Sequence, residues 1–337
     1  MTKIARSTDA QPRDLLYPLL RLRGAGVRNL TLIIPALAMA CGEPDVEPAP
    51  PGLIDAGVSV LEDAGAPPED TGPPPGCDQD GDGFLAEHCG GDDCDDHARG
   101  RNPNATERCS FEDENCSGVN NEHLDCTFFA HGREDLYRVD PFMQRVHNAG
   151  RLLTPAGRGI LDIDIDPNGV LVGVTREELL SFNDQGSYEV VASIDTPPNT
   201  NGLAIDSSGR IFLTQSDNQV SNAYTVNLAG EVSVLGNLAP YRSSGDCVVL
   251  KDESLLMTAP GEPGEGDLLV YVNSQDATTN SLGSIGFEKV YGLSASFGFL
   301  FGATDEGRVL LIDQTTGTGE ELFRRADLQF WGAANGD

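Results

Sequence analysis

Ile163-Asp164-Ile165-Asp166-Pro167-Asn168-Gly169-Val170-Leu171-Val172 is the stretch on which the fold turns. Two short apolar runs flank a tight polar turn, which is the signal of a β-hairpin. The pattern returns in Leu203-Ala204-Ile205-Asp206-Ser207-Ser208-Gly209-Arg210-Ile211-Phe212, in Val248–Met257 and in Leu293–Phe301, with the turn markers Gly169, Gly209, Ser254 and Gly298 spaced 40, 45 and 44 residues apart. After each hairpin comes a further apolar run ending in Asp or Asn: Leu179–Asn183, Ala223–Asn227, Leu269–Asn273 and Val309–Asp313. A fifth such run, Leu136–Asp140, has no complete hairpin before it. A period of this length with four strands per unit predicts propeller blades.

The two ends of the repeating region complement each other. Thr127-Phe128-Phe129-Ala130-His131 reads as a second strand without its inner partner, and Gln329-Phe330-Trp331-Gly332-Ala333-Ala334 as an inner strand with nothing after it. Joined in one blade they close the ring and remove its open edges. Residues 127–337 are therefore predicted to form an all-β, five-bladed propeller, at about 42 residues per blade. A six- or seven-bladed relative, incomplete here, is the alternative.

The rest of the chain is of a different kind. Its 337 residues carry 22 Lys+Arg against 53 Asp+Glu, a net charge of −31, which excludes the basic stripe that a nucleic-acid partner requires. The 39 Gly and 21 Pro argue against a helical bundle. Five arginines between Arg6 and Arg28 precede the apolar stretch Leu30–Ala40, the pattern of an export signal. That stretch is well short of the ~20 apolar residues of a membrane span. Residues 42–76 hold nine prolines, eight acids and no base, so they cannot bury enough apolar area to offset ordering entropy and read as a disordered tether.

Six cysteines (Cys77, Cys89, Cys94, Cys109, Cys116, Cys126) crowd into residues 77–126, a loop-dominated segment too small for a core of its own. After an export signal, three disulfides are the economical reading, with 15 possible connectivities. Cys247 lies in an apolar run and reads as a buried free thiol; a zinc site from Cys89, Cys94, Cys109, His88 and His97 is the lesser alternative. In Asp78-Gln79-Asp80-Gly81-Asp82-Gly83, carboxylates stand at positions 1, 3 and 5 of a calcium-type loop with Gly at position 6. Position 12 is Cys89, so this is not a complete EF-hand. With Asp93, Asp95 and Asp96 close behind, the candidate ligands form an all-oxygen set that suits Ca²⁺.

Three resemblances add to these readings. Leu37-Ala38-Met39-Ala40-Cys41 resembles a bacterial lipoprotein signal, with Ala38 where an aliphatic residue is usual. It implies that residues 1–41 are a signal peptide and that Cys41 carries the lipid, anchoring an exported protein to a bacterial membrane, the outer membrane or cell surface being the expected site. The series Asp78-x-Asp80-x-Asp82-Gly83, Asp93-Cys94-Asp95-Asp96, Asn102–Cys109 and Asp113-Glu114-Asn115-Cys116-Ser117-Gly118 looks like the MopE-type metal-binding motif of bacterial surface proteins. Asn104, Ser117 and Asn121 depart from it, and the segment has no Trp or Met, so copper is not carried over. Lastly, Asn201-Gly202-Leu203-Ala204 is similar to a segment of the gluconolactonase and senescence-marker family, whose Asn and a later Asp help bind a catalytic metal; Asp246 stands at about the equivalent place one blade on. That family has six blades and a further Glu ligand, neither of which is found here.

At the leading ends of the inner strands, Asn201, Asp246, Tyr291 and Trp331 are expected to face a shared channel. Asp162, Asp164 and Asp166 alternate with Leu161, Ile163 and Ile165 and read as the polar face of a strand. Two functions follow. One is a non-enzymatic surface lipoprotein with a calcium-stiffened module and a propeller that holds a protein or glycan. The other is a metal-dependent lactonase or esterase with Asn201 and Asp246 as ligands.

Overall fold

The computed structural model describes residues 76–155, 158–183, 186–227 and 229–336; the leader, Cys41 and the tether up to residue 75 lie outside the described residues. In chain order the strands are β1 (Phe128–His131), β2 (Asp135–Asp140), β3 (Arg145–Arg151), β4 (Asp162–Ile165), β5 (Leu171–Val174), β6 (Glu178–Phe182), β7 (Tyr188–Ser193), β8 (Thr200–Ile205), β9 (Ile211–Gln215) and β10 (Asn222–Val226). They continue with β11 (Val232–Asn237), β12 (Cys247–Val249), β13 (Leu255–Ala259), β14 (Leu268–Val272), β15 (Thr279–Ser284), β16 (Val290–Ser296), β17 (Phe299–Thr304), β18 (Arg308–Ile312), β19 (Gly319–Arg324) and β20 (Gly332–Ala334). The one helical element with described bounds is a single 3₁₀ turn, Glu87–Cys89, and among the described residues no helix is long and apolar enough to cross a membrane.

The strands form five antiparallel sheets of four, so the chain is a five-bladed propeller. Blades 2 to 5 are β4–β7, β8–β11, β12–β15 and β16–β19, each a meander. Blade 1 is built from both ends in the order β20-β1-β2-β3, with Phe129 opposite Ala334, Ala130 opposite Ala333 and His131 opposite Gly332. Its inner strand is thus supplied by the far end of the chain, as the complementary ends imply.

The recurring residues have a physical role. Every outer run ends in Asp or Asn because that side chain closes the turn into the edge strand. Asp140, Asn183, Asn227, Asn273 and Asp313 each accept a backbone N–H two to four residues ahead. At the inner turns Asp166 and Asp206 do likewise, and Gly169 (φ 79°) and Gly209 (φ 82°) take the left-handed conformation that closes the hairpin. Each blade also carries a register shift between its third and fourth strands, at Leu136/Tyr137, Leu179/Leu180, Ala223/Tyr224, Leu269/Val270 and Val309/Leu310. Such bulges twist the outer edge away from further pairing.

The core is divided by seam. Five clusters of buried side chains lie one between each pair of neighbouring blades, from Leu136 and Leu180 between blades 1 and 2 to Phe128, Phe301 and Phe330 between blades 5 and 1. The inner hairpin turns share one face of the ring, the base. The loops between second and third strands and the inter-blade connections share the other, the upper face.

Residues 77–126 build a module held by Cys77–Cys89, Cys94–Cys116 and Cys109–Cys126. Each bridge is worth about 2–4 kcal/mol, mainly by limiting the unfolded chain. Buried polar side chains do the work of an apolar core. Glu107 accepts the N–H groups of Asn115 and Asn121, and Glu114 accepts those of Arg108 and the Ser110 hydroxyl. Phe111 packs on the base of the propeller, 4.8 Å from the Phe142 ring and 5.5 Å from that of Phe299.

Candidate metal centre and the propeller axis

Asp78, Asp80 and Asp82 each present a carboxylate oxygen within 4.8 Å of the other two. The loop is shaped by its own turns. Asp78 Oδ1 accepts the N–H groups of Gly81 (2.8 Å) and Asp82 (3.1 Å), while Asp82 Oδ1 accepts that of Phe84 (2.9 Å). Gly81 and Gly83 take positive φ, and Arg99 crosses the loop to donate to the Asp80 and Gly81 carbonyls. Asp80 Oδ2 is buried with no hydrogen-bond partner. The same holds for Oδ2 of Asp93, a residue only 2 % exposed whose Oδ1 accepts the Asp95 N–H. Loss of water around Asp80 pushes its carboxyl above the usual range, and the charges of Asp82, Asp93 and Asp78 add to this. A partnerless carboxylate oxygen within a cluster of three aspartates is the chemistry of a hard-cation site.

The remaining candidates are engaged otherwise. Asp95 pairs with Arg101 at 2.8 Å, and Asp96 accepts both the backbone and side-chain N–H groups of Gln79, each at 2.8 Å. Cys77, His88 and Cys89 also converge, but the two sulfurs are joined in a disulfide and offer no thiolate. Cys94 and Cys109 are bridged as well, so the zinc alternative has no thiolate left; Cys247 is the buried free thiol expected.

At the propeller axis the carboxylates were not legible as what they are. The polar-face reading of Asp162 and Asp164 is corrected: they are 0 % and 2 % exposed, point inward, and hold the blades together, while Asp166 belongs to the hairpin turn. Asp162, Gly202, Asp246, Gly292 and Gly332 occupy equivalent places on the five inner strands. The next residue in each blade aims its N–H at the axis. Asp162 accepts those of Ile163 (2.9 Å) and Leu203 (2.8 Å). Asp246 accepts those of Cys247 (2.6 Å), Leu293 (2.7 Å) and Ala333 (3.2 Å). Two carboxylates thus satisfy five blades, and Gly332 leaves the Asp162 carboxylate room. One layer nearer the base, Asp164 accepts from Ile165, Ile205 and Asn335, and the Asn335 side chain accepts from Ala295.

Burial without a cation sets the protonation of this column. It drives Asp162 and Asp246 well above the ordinary carboxylate range, and the neighbouring Asp162 carboxyl raises Asp246 further. Burial pushes Asp164 up to about 7 and His131 down to about 4. His131 is fully buried, its Nε2 3.7 Å from Asp162 Oδ1 and its Nδ1 bonded to the Gly132 carbonyl. No sequence reading singled out His131; its place opposite Gly332 on β20 is a tertiary fact.

The four channel candidates do not meet in one cavity. Asp246 is wholly buried on the axis with both oxygens engaged. Asn201 lies beside it, its amide weakly bonded to the Ser243 carbonyl at 3.4 Å and its Oδ1 unpartnered. Tyr291 lines an upper-face cleft with Arg242 and Lys289, whereas Trp331 lines another with Arg133 and Arg151.

No protein-family model matches the chain, and no curated protein does. Solved structures do. A protein in a nidogen/laminin complex is 11 % identical with a TM-score of 0.44, the match covering 62 % of this chain and 97 % of that one. A candidate gluconolactonase is 13 % identical at 0.41 (62 % and 82 %). A catalytically inactive virginiamycin B lyase from Staphylococcus aureus, solved with quinupristin, is 12 % identical at 0.35 (56 % and 62 %). Similarities at this level assign no activity.

Proposed function

We propose that this chain is an exported, lipid-anchored binding protein. Its disulfide-rich module holds a calcium ion, and its propeller presents a non-catalytic surface to a protein or glycan ligand. The observation that carries the reading is the convergence of Asp78, Asp80 and Asp82, with Asp80 Oδ2 buried and partnerless and a like orphaned oxygen on Asp93. The three converging residues would hold the ion, with Asp93 as a further ligand. Calcium supplies there the positive charge that lets crowded carboxylates stay ionised, so it rigidifies the loop rather than drives a reaction. Three disulfides support an oxidising compartment, periplasmic or extracellular. The basic leader and Cys41 support lipid attachment, with the proline-rich tether holding the folded part clear of the membrane. The hydrolase alternative draws no support from Asp246, which is closed off from solvent and fully hydrogen-bonded.

Heat denaturation with and without calcium tests the proposal. A ligand that binds only the folded state stabilises it by about 2.7 kcal/mol at a hundred times its Kd, so the melting temperature should rise in millimolar calcium. No rise, with intact disulfides confirmed by mass, would remove the calcium site.

A further inference from the structure

The upper face of the propeller is uneven. Loops between second and third strands are three residues long in blades 1, 2 and 5 (132–134, 175–177 and 305–307), but six in blade 3 (216–221) and eight in blade 4 (260–267). The two long loops contribute walls to a cleft of about 380 Å³, lined among others by Ser216, Arg242, Glu262, Glu288, Lys289 and Tyr291. Extra chain placed only where a cleft results points to a binding site.

The charges in this cleft are unusual for the molecule. Nine arginines of the described residues sit in carboxylate ion pairs. Arg242 is half-buried, yet it makes no hydrogen bond or ion pair among the described residues, in a chain of 53 acids. Asp267 lines the same cleft, its Oδ2 accepting the Ser244 hydroxyl (3.0 Å) and the Val290 N–H (2.9 Å). Lys289 pairs with Asp305 at 3.4 Å. Glu262 has no side-chain partner among the described residues, and Glu288 accepts only a long bond from the Gly264 N–H at 3.3 Å. One unpaired guanidinium therefore lines the same cleft as two carboxylates that have no cationic partner among the described residues.

We propose that this cleft binds a small zwitterion, a free amino acid or a short peptide with free ends, whose carboxylate meets the Arg242 fork and whose ammonium meets Glu262 and Glu288. The guanidinium matches a carboxylate with two parallel hydrogen bonds. A ligand bearing only a carboxylate would meet two uncompensated glutamates, and one bearing only an ammonium would leave Arg242 unpaired. The Tyr291 ring offers an apolar wall for the ligand's carbon atoms. A small zwitterion is neither the protein nor the glycan proposed above, so this is a further, small-ligand site, and it rests only on the reading of the propeller as a non-catalytic binder.

Ligand-observed NMR on the mature protein tests it with four probes: Ala-Ala, N-acetyl-Ala-Ala, Ala-Ala amide and glucuronate. Ala-Ala should bind, each capped form at least tenfold more weakly. Arg242→Ala should lose binding at least tenfold with an unchanged melting temperature, and Arg242→Lys should keep part of it. The inference is overturned if no dipeptide binds, if a capped form binds equally, if glucuronate binds best, or if Arg242→Ala binds like the unaltered protein. Those results leave the binding-protein reading standing. Appearance of free alanine from bound Ala-Ala would instead overturn the non-catalytic reading while supporting the cleft as the site.

Discussion

Asp162 of blade 2 and Asp246 of blade 4 share the propeller axis, and between them they accept the inward N–H of all five inner strands. An N–H left without a partner in a dry interior costs about 1–3 kcal/mol. Asp246→Ala strips the acceptor from Cys247, Leu293 and Ala333 at once. The expected loss is on the order of 4 kcal/mol, read by urea denaturation. A loss under about 1 kcal/mol would show that the axis does not depend on this pair.

The glycines of the ring make a steric prediction. A Cβ on Gly332 would lie 2.1 Å from Asp162 Oδ1 and 2.5 Å from His131 Nε2, both buried. Gly332→Ala should destabilise the protein by roughly 2 kcal/mol or more. Gly159→Ala, where nothing stands within 4 Å, should change stability by less than about 0.5 kcal/mol. The same denaturation series compares the two.

Two buried groups give the pH dependence opposite signs. Asp164 titrates at about 7 when folded against 3.8 when unfolded. Its contribution is complete below pH 3.8 and is lost as pH rises through about 7. His131 titrates at about 4 when folded against 6.5, so its contribution is complete above pH 6.5 and is lost as pH falls towards 4. The windows overlap and the two slopes oppose, with Asp162 and Asp246, also raised by burial, adding to the Asp164 side. Asp164→Asn should remove the Asp164 share: stability relative to the unaltered protein rises by about 2 kcal/mol between pH 5 and 7. The variant is weaker at every pH, since an amide nitrogen cannot accept an N–H, but the slope decides. His131→Asn should tilt the profile the other way.

Phe111 ties the module to the propeller through Phe142 and Phe299. Phe111→Ala should speed limited proteolysis between residues 109 and 128 without lowering the melting temperature of the propeller. Equal cleavage rates would mean that the aromatic contact does not hold the module in place.

How far the sequence carries the fold can be seen residue by residue. Gly169, Gly209 and the Asp or Asn closing each outer run were readable because a turn is a local event, set by φ and by a side chain reaching a few residues ahead. The closing blade was readable too, since Phe129 and Ala334 belong to strands that each lack a partner within their own stretch. Asp162 and Asp164 were not, because alternation with isoleucine says that a strand has two faces and not that its polar face looks inward across a ring. Only the equivalence of Asp162 and Asp246 with Gly202, Gly292 and Gly332 reveals the axis, and it depends on register between strands far apart in sequence. In the module, the alternate spacing of Asp78, Asp80 and Asp82 is what lets their oxygens converge, while Asp95 and Asp96 are engaged by Arg101 and Gln79 through contacts that spacing does not specify.

The calcium site is the central claim, and calorimetric titration of the mature protein with calcium tests it most directly. One ion should bind per chain, and Asp80→Asn should weaken binding at least tenfold while the disulfide-bonded mass and the propeller's unfolding transition stay as they were. An absence of heat and uptake at millimolar calcium, or equal affinity in Asp80→Asn, would contradict the account.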